Sequence, residues 1–328
     1  MTRLPLTICL ALTWFVAIDA LLSVAVTGAT ASWRGRRRGS VAGEASIPGS
    51  VALAMRLFPS VAALLFVAGV FVPAFELYEP AGGPEDVGWV VRATAAAACI
   101  LALSAVGRGL TAVQRTRALV NRWLSSAAPI QLDHQCSGSV EAYVIEDAFP
   151  VVALVGVRAP RLFIARQVLE VLTPGEVRAA AAHELAHLRA WDNAKRLLLC
   201  WTPGLLASSA AGRRLESLWA AGAECAADGS AADSRARRLD LAGALVKVSR
   251  LAIAPAPGVR LFSTLHEHGD IADRVSHLLA PAPASGRFYH RGGICVAAFV
   301  ACCCAVGLLP DVLVAVHGFT EACLRLLP

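Results

Sequence analysis

Ala179-Ala180-Ala181-Ala182-His183-Glu184-Leu185-Ala186-His187-Leu188 combines strong helix formers with an HExxH pentad. On an α-helix, residues four apart share a face, so the two imidazoles can bind one zinc ion while Glu184 acts as general base. Just upstream, Thr173-Pro174-Gly175-Glu176 supplies an N-cap, a proline at the first helical position and a glutamate three residues after the cap. The helix is therefore expected to start near Pro174 and to run past His187 toward Ala194. Asp192 and Asn193 are read as helping to end it, with packing of Asn193 near the ligand cluster as an alternative and no catalytic role for either.

A catalytic zinc needs three protein ligands and one open position, and His/His/Glu is an established set. Some forty residues downstream, the segment Ala223-Glu224-Cys225-Ala226-Ala227-Asp228 offers the third ligand. Glu224 is the expected ligand. Asp228, one helical turn on, is placed to accept the free N–H of a ligand histidine and fix its tautomer. The alternative for this pair is a solvated acidic helix face. Glu184 is expected to take the proton of the attacking water, so its loss should abolish chemistry and spare metal binding. Cys225 lies about 100° around the helix from Glu224 and is expected to be a small buried side chain.

Apolar residues make up 56% of the chain and charged residues 16%, the balance of a membrane protein rather than a soluble one. Leu6–Ala29, Leu57–Leu77, Val87–Val106 and Gly292–Val316 are each about as long as the roughly 20 residues a spanning helix needs. A signal peptide is the alternative for the first, but it is overlong for a signal core and an arginine cluster follows it. Arg34, Arg36, Arg37 and Arg38 follow the first stretch, Arg56 precedes the second, and Arg108, Arg115, Arg117 and Arg122 follow the third. Glu76, Glu79, Glu85 and Asp86 lie between the second and third. The excess of arginine on cytoplasmic loops then puts both chain ends outside and the HExxH region inside.

The expected organisation is a first span in residues 1–32, a basic cytoplasmic loop in 33–56, and two spans joined by a short acidic external loop in 57–107. A cytoplasmic metallopeptidase domain follows in 108–291, then a fourth span in 292–317 and a short tail in 318–328. Leu197–Ala211 is apolar, but it is short for a span and Pro203-Gly204 breaks it. Two helices that share one zinc also cannot be separated by an odd number of crossings. The net charge of +6 is accounted for by the arginine-rich segments, so the bilayer is the expected partner and direct nucleic-acid binding is not. Several of the ten cysteines fall in apolar stretches and none forms a CxxC pair, which speaks against a disulfide framework or a zinc ribbon.

Ala142–Ile145, Val151–Val155 and Arg161–Ile164 are short β-prone runs separated by turn signals, so a small sheet is expected before the zinc helix. The HExxH with Glu224-Cys225-Ala226-Ala227-Asp228, preceded by Arg158-Ala159-Pro160-Arg161-Leu162-Phe163-Ile164 and Leu172-Thr173-Pro174-Gly175-Glu176, resembles the integral-membrane zinc peptidases of the BlaR/MecR type and their HtpX-like and CAAX-prenyl-endopeptidase relatives. The resemblance covers about Tyr143–Leu279. It implies an α-helical multi-pass membrane protein with an inserted α+β gluzincin-like zinc peptidase domain. It also implies one Zn2+ per chain held by His183, His187 and Glu224, with Glu184 as catalyst and Asp228 behind the ligands.

In the relatives an edge strand pairs with extended substrate, and Val151, Val152, Ala153, Leu154 and Val155 form the candidate strand here. His268 and Arg274 match an HtpX-like spacing that implies hydrogen bonds to the tetrahedral oxyanion; a polar loop with Arg274 in a structural ion pair is the alternative. The antibiotic sensors carry a large extracytoplasmic domain after the last span, for which the residues past Val316 are too few, so β-lactam sensing is not expected. The expected activity is cleavage of a cytoplasmic or membrane-proximal protein, with a transcriptional repressor as one candidate. A quality-control protease and a catalytically silent scaffold that keeps the zinc fold are the alternatives.

Overall fold

The computed structural model describes residues 3–37, 47–79, 88–131, 140–251, 262–264, 271–280 and 309–326. The chain divides into two compact units, Met1–Val106 with Thr202–Glu216 and Arg287–Pro328, and Gly107–Trp201 with Ser217–Gly286.

The first unit is helical. Among the described residues, three helical stretches are long and apolar enough to cross a bilayer: Leu4–Trp33, Gly49–Tyr78 and Trp89–Leu124. They correspond to α1 (Arg3–Arg37), the run α2 (Gly49–Phe66) to α3 (Val72–Tyr78), and α4 (Trp89–Leu124). A π-helical segment, Val67–Phe71, joins α2 to α3 just before Pro73. Proline lacks an N–H for the preceding turn, and one wide turn absorbs that missing bond while the helix continues.

The second stretch begins at Gly49 rather than Leu57, which corrects the place of Arg56. That residue lies inside α2 and is buried, and its Nε donates to Glu216 Oε1 at 2.9 Å. It is a paired charge within the helix and not a loop charge that orients the chain. Asp19 on α1 is likewise fully buried and satisfied, accepting from Ser60 Oγ at 2.9 Å and from the Leu205 N–H at 2.8 Å. The apolar segment Leu197–Ala211 is not one helix. It breaks after Trp201, and Gly204 adopts φ +137° before a single 3-10 turn at Leu205–Ala207. Of the expected fourth span, residues 292–308 lie outside the described residues. A helix runs from Pro310 to Leu326, so residues 318–326 are helical where a short tail was expected.

The second unit contains a five-stranded mixed sheet made of β1 (Ala128–Ile130), β2 (Glu141–Ile145), β3 (Val152–Val155), β4 (Arg161–Ala165) and β5 (Phe262–Thr264), in the order β1-β2-β4-β3-β5. Only β2 and β4 pair in parallel. The core lies on the sheet, where Trp123 from the end of α4 packs on Phe163 with ring centroids 5.1 Å apart and donates its indole N–H to Asp147 at 2.7 Å. Helices α5 (Arg166–Val171), α6 (Pro174–Arg189), α7 (Asp192–Trp201), α8 (Ala210–Ala231), α9 (Arg235–Leu251) and α10 (Ile271–Leu279) complete the described elements up to residue 280.

The start of α6 is the capping box read from the sequence: the Glu176 N–H donates to Thr173 Oγ1 and the Thr173 N–H to Glu176 Oε2. Its end differs from expectation. The helix stops at Arg189 and Trp191 takes a left-handed φ of 59°, so Asp192 begins α7 instead of extending α6 toward Ala194. A left-handed tryptophan is sterically costly and persists only where its surroundings hold it.

Candidate metal centre

Helix periodicity places His183 and His187 on one face of α6, and α8 brings Glu224 against them. All three are buried. The two Nε2 atoms are 3.2 Å apart, and each lies 3.4 Å from one Glu224 oxygen, His183 from Oε2 and His187 from Oε1. A tetrahedral site with ligand distances of about 2.0–2.1 Å has donor–donor edges of about 3.3–3.4 Å. The Nε2–Nε2 spacing is near such an edge, and each Glu224 oxygen stands at about that distance from one of the two histidines.

The outer nitrogens explain why the inner ones converge. His187 Nδ1 donates to Asp192 Oδ2 at 2.8 Å, and His183 Nδ1 lies 2.9 Å from Asp228 Oδ1. A carboxylate only accepts, so these contacts favour a proton on each Nδ1, and a neutral imidazole in that tautomer turns its Nε2 lone pair toward the other ring and toward Glu224. Two lone pairs and a carboxylate facing one point repel unless a cation stands among them. The donor set therefore fits a divalent ion.

Without that ion, protons fill the same role. Burial pushes His187 down, but its bonds to Asp192 and Glu224 overcome this and raise it to about 10. His183 is also raised, with burial opposed by Asp228 and Glu224. Burial would raise Glu224, yet the two imidazoles hold it well below the usual carboxylate range.

Asp192 is a member of the cluster that the sequence did not reveal. Five residues after His187 it has no helical-face relation to the site, and only the turn at Trp191 brings its carboxylate back. Lys195 Nζ donates to its other oxygen at 2.9 Å. Burial opposes ionisation of Asp192, but His187 and Lys195 keep its carboxyl below the usual range.

Arg274 on α10 stands in ion pairs with the carboxylates of the site, as in the alternative to the oxyanion role. It is buried, with Nε and Nη2 donating to Asp228 Oδ2 and Oδ1 at 2.9 and 2.7 Å and Nη1 lying 3.2 Å from Glu224 Oε2. All three guanidinium nitrogens face carboxylates of the site, which makes the arginine a counter-ion to the ligand cluster. Asp228 is held below the usual range because His183 and Arg274 together outweigh its burial. His268 lies outside the described residues.

Glu184 is fully buried, and its Oε2 accepts the backbone N–H of Leu154 at 3.1 Å. Asn193 Nδ2 donates to the carbonyls of Leu154 and Gly156, both at 3.1 Å. The backbone donor and acceptor of Leu154 are thus taken by side chains flanking the histidines.

The expected substrate edge needs correction. Val151 precedes the strand, and Val152, Ala153, Leu154 and Val155 form an interior strand. It pairs with β4 on one side and with β5 on the other, in the register Ala153↔Thr264, Leu154↔Ser263 and Val155↔Phe262. Three residues more than a hundred positions downstream close that edge, and a run so short carries no alternation to announce itself. Cys225, expected to be buried, is exposed. Beside the site, a cavity of about 370 Å³ is lined by Leu154, Gly156, Val157, Pro160, His187 and Trp191 among others.

No protein-family model matches the chain, and no curated protein does. Among solved structures, Ste24p of S. mikatae is similar at 13% identity with a TM-score of 0.33, over 69% of this chain and 64% of that one. This chain thus spans less than two thirds of that neighbour's length, and so remote a likeness decides neither fold nor activity.

Proposed function

We propose that this chain is a membrane-embedded zinc endopeptidase with a gluzincin-like site. The observation that carries the reading is the buried His183–His187–Glu224 trio, whose ligand atoms converge closely enough to hold one metal ion, with Glu184 on the same helix. His183, His187 and Glu224 would hold the ion, Asp228 and Asp192 fix the two imidazole tautomers, and Arg274 offsets the excess of carboxylates. Bound zinc supplies the Lewis acidity that polarises a peptide carbonyl and acidifies water.

Glu184 receives the proton of the attacking water and passes it to the leaving amine. Its bond to the Leu154 N–H aims the carboxylate, which ties the base to β3 as well as to its own helix. The cavity beside His187 would take a substrate side chain, and the backbone of Gly156 and Val157, just beyond β3, would meet the substrate chain. The arginines at the end of α1 and in the second half of α4 favour a cytoplasmic site, with both chain ends outside, and a substrate that is a cytoplasmic or membrane-proximal protein.

Metal analysis and peptide cleavage on the purified full-length protein test the reading. Glu184→Gln is expected to keep zinc at this centre and to lose cleavage. Zinc-loaded wild-type protein that cleaves nothing would support a silent scaffold instead. Proteins trapped on Glu184→Gln in cells then separate the roles: a DNA-binding repressor supports signalling, and a broad set of misfolded membrane proteins supports quality control.

A further inference from the structure

A second convergence of metal-ligating groups lies in the other unit. Glu79 follows the C-terminal end of α3. His317 and Glu321 lie one turn apart on α11 (Pro310–Leu326), which packs on α3. Each of the three offers a ligand atom, and these atoms all lie within 4.8 Å of one another. His317 Nδ1 and Glu79 Oε2 are 3.8 Å apart, too far for a hydrogen bond but within the span of two donors on one ion.

His317 Nδ1 and Glu321 Oε1 are shut off from solvent and meet no hydrogen-bond partner among the described residues. An imidazole nitrogen and a carboxylate oxygen buried together without partners are costly unless something else completes them. The helix that carries them is firmly placed. Thr320 accepts the Trp14 indole N–H at 3.2 Å, the His317 ring lies 6.3 Å from that of Tyr78, and Val316 packs with Leu6, Phe71 and Phe75. The polar face is therefore held against the end of α3 by contacts independent of its own charges.

We propose that Glu79, His317 and Glu321 form a second metal site that takes a divalent first-row transition ion and clamps the end of α3 to α11. One imidazole with two carboxylates suits zinc, manganese or iron, whereas magnesium and calcium prefer oxygen donors throughout. Three protein ligands leave room for water or an exchangeable group. The site shares no residue with the His183 centre, so it does not depend on the proposed peptidase activity.

The test uses full-length protein in detergent, stripped with chelator and titrated with Zn2+ and separately with Co2+, whose absorption bands report coordination. Wild type is expected to bind two equivalents. His183→Ala/His187→Ala should keep one, and adding His317→Ala should remove it. Glu321→Gln, nearly isosteric and placed in the same double-variant background, should weaken that equivalent at least tenfold and guards against a folding defect in the alanine variant. A double variant that binds no metal, or one whose remaining equivalent survives both His317→Ala and Glu321→Gln, overturns the proposal and leaves a structural ion pair. Should the His183 centre itself bind nothing, wild type takes up one equivalent, lost on His317→Ala. The two readings therefore fail separately.

Discussion

Replacing Arg274 by methionine removes a guanidinium that contacts two buried carboxylates, through bonds of 2.7 and 2.9 Å to Asp228 and a 3.2 Å contact to Glu224. Methionine keeps the apolar stem and removes the charged head, so the loss is mainly of the guanidinium's contacts. With the arginine side chain only 5% exposed, solvent cannot screen the charges it leaves behind. Breaking one side of such a pair costs about 3–5 kcal/mol, because a buried charge is left uncompensated. Removing both sides should cost less than the sum: Arg274→Met with Asp228→Asn is expected to recover about 1–3 kcal/mol of coupling.

The assay is reversible unfolding of the metal-free protein in mixed detergent, run on the two single variants, the double variant and wild type, with zinc affinity measured on the same set. Zinc should bind more weakly to Arg274→Met, since an ionised Asp228 no longer has a cation to hold it in place beside His183. An arginine that served only the oxyanion would behave otherwise, lowering turnover and sparing both stability and metal affinity. Additivity of the cycle to within about 0.5 kcal/mol, with unchanged zinc affinity, would refute the counter-ion assignment.

Asp192→Asn is expected to weaken zinc binding about 10–100-fold, the usual effect of losing a carboxylate behind a ligand histidine, as read by competition with a chromophoric chelator. The raised His187 makes zinc uptake pH-dependent. In the metal-free protein its proton contributes stability below its unfolded value of 6.5, and that contribution is lost as pH rises through about 10. Zinc must displace this proton, so affinity should rise about tenfold per pH unit below that point, with at least one proton released in calorimetry across buffers of different ionisation enthalpy. Gly204→Ala should destabilise the first unit by more than about 1–3 kcal/mol in thermal unfolding. At φ +137° its Cβ would fall 2.3 Å from Ser60 Oγ and 2.6 Å from Asp19 Oδ1.

Much of this arrangement was legible because it is local. The capping box at Thr173, the shared face of His183 and His187, the turn from Glu224 to Asp228 and the break at Pro203-Gly204 all follow from helix period and backbone sterics within a few residues. The strands β2, β3 and β4 were legible within a residue at their ends for the same reason. Arg56 was misplaced because an arginine near an apolar stretch looks like a boundary, and only its pairing with Glu216 explains how a helix buries it. The extent of α6 was misjudged because a left-handed tryptophan is not something a sequence announces.

What the sequence determined by itself is the chemistry on offer: two imidazoles, a base and an acidic pair at helical spacings, in a chain with apolar stretches long enough to span a bilayer. The tertiary structure decided which of those groups meet, and which others join them. It brought Asp192 back to His187 through one turn, set Arg274 between Asp228 and Glu224, and closed the far edge of β3 with β5. Periodicity constrains neighbours along a helix or strand, whereas the path of the chain through space decides which distant charge meets which and whether a strand edge stays open.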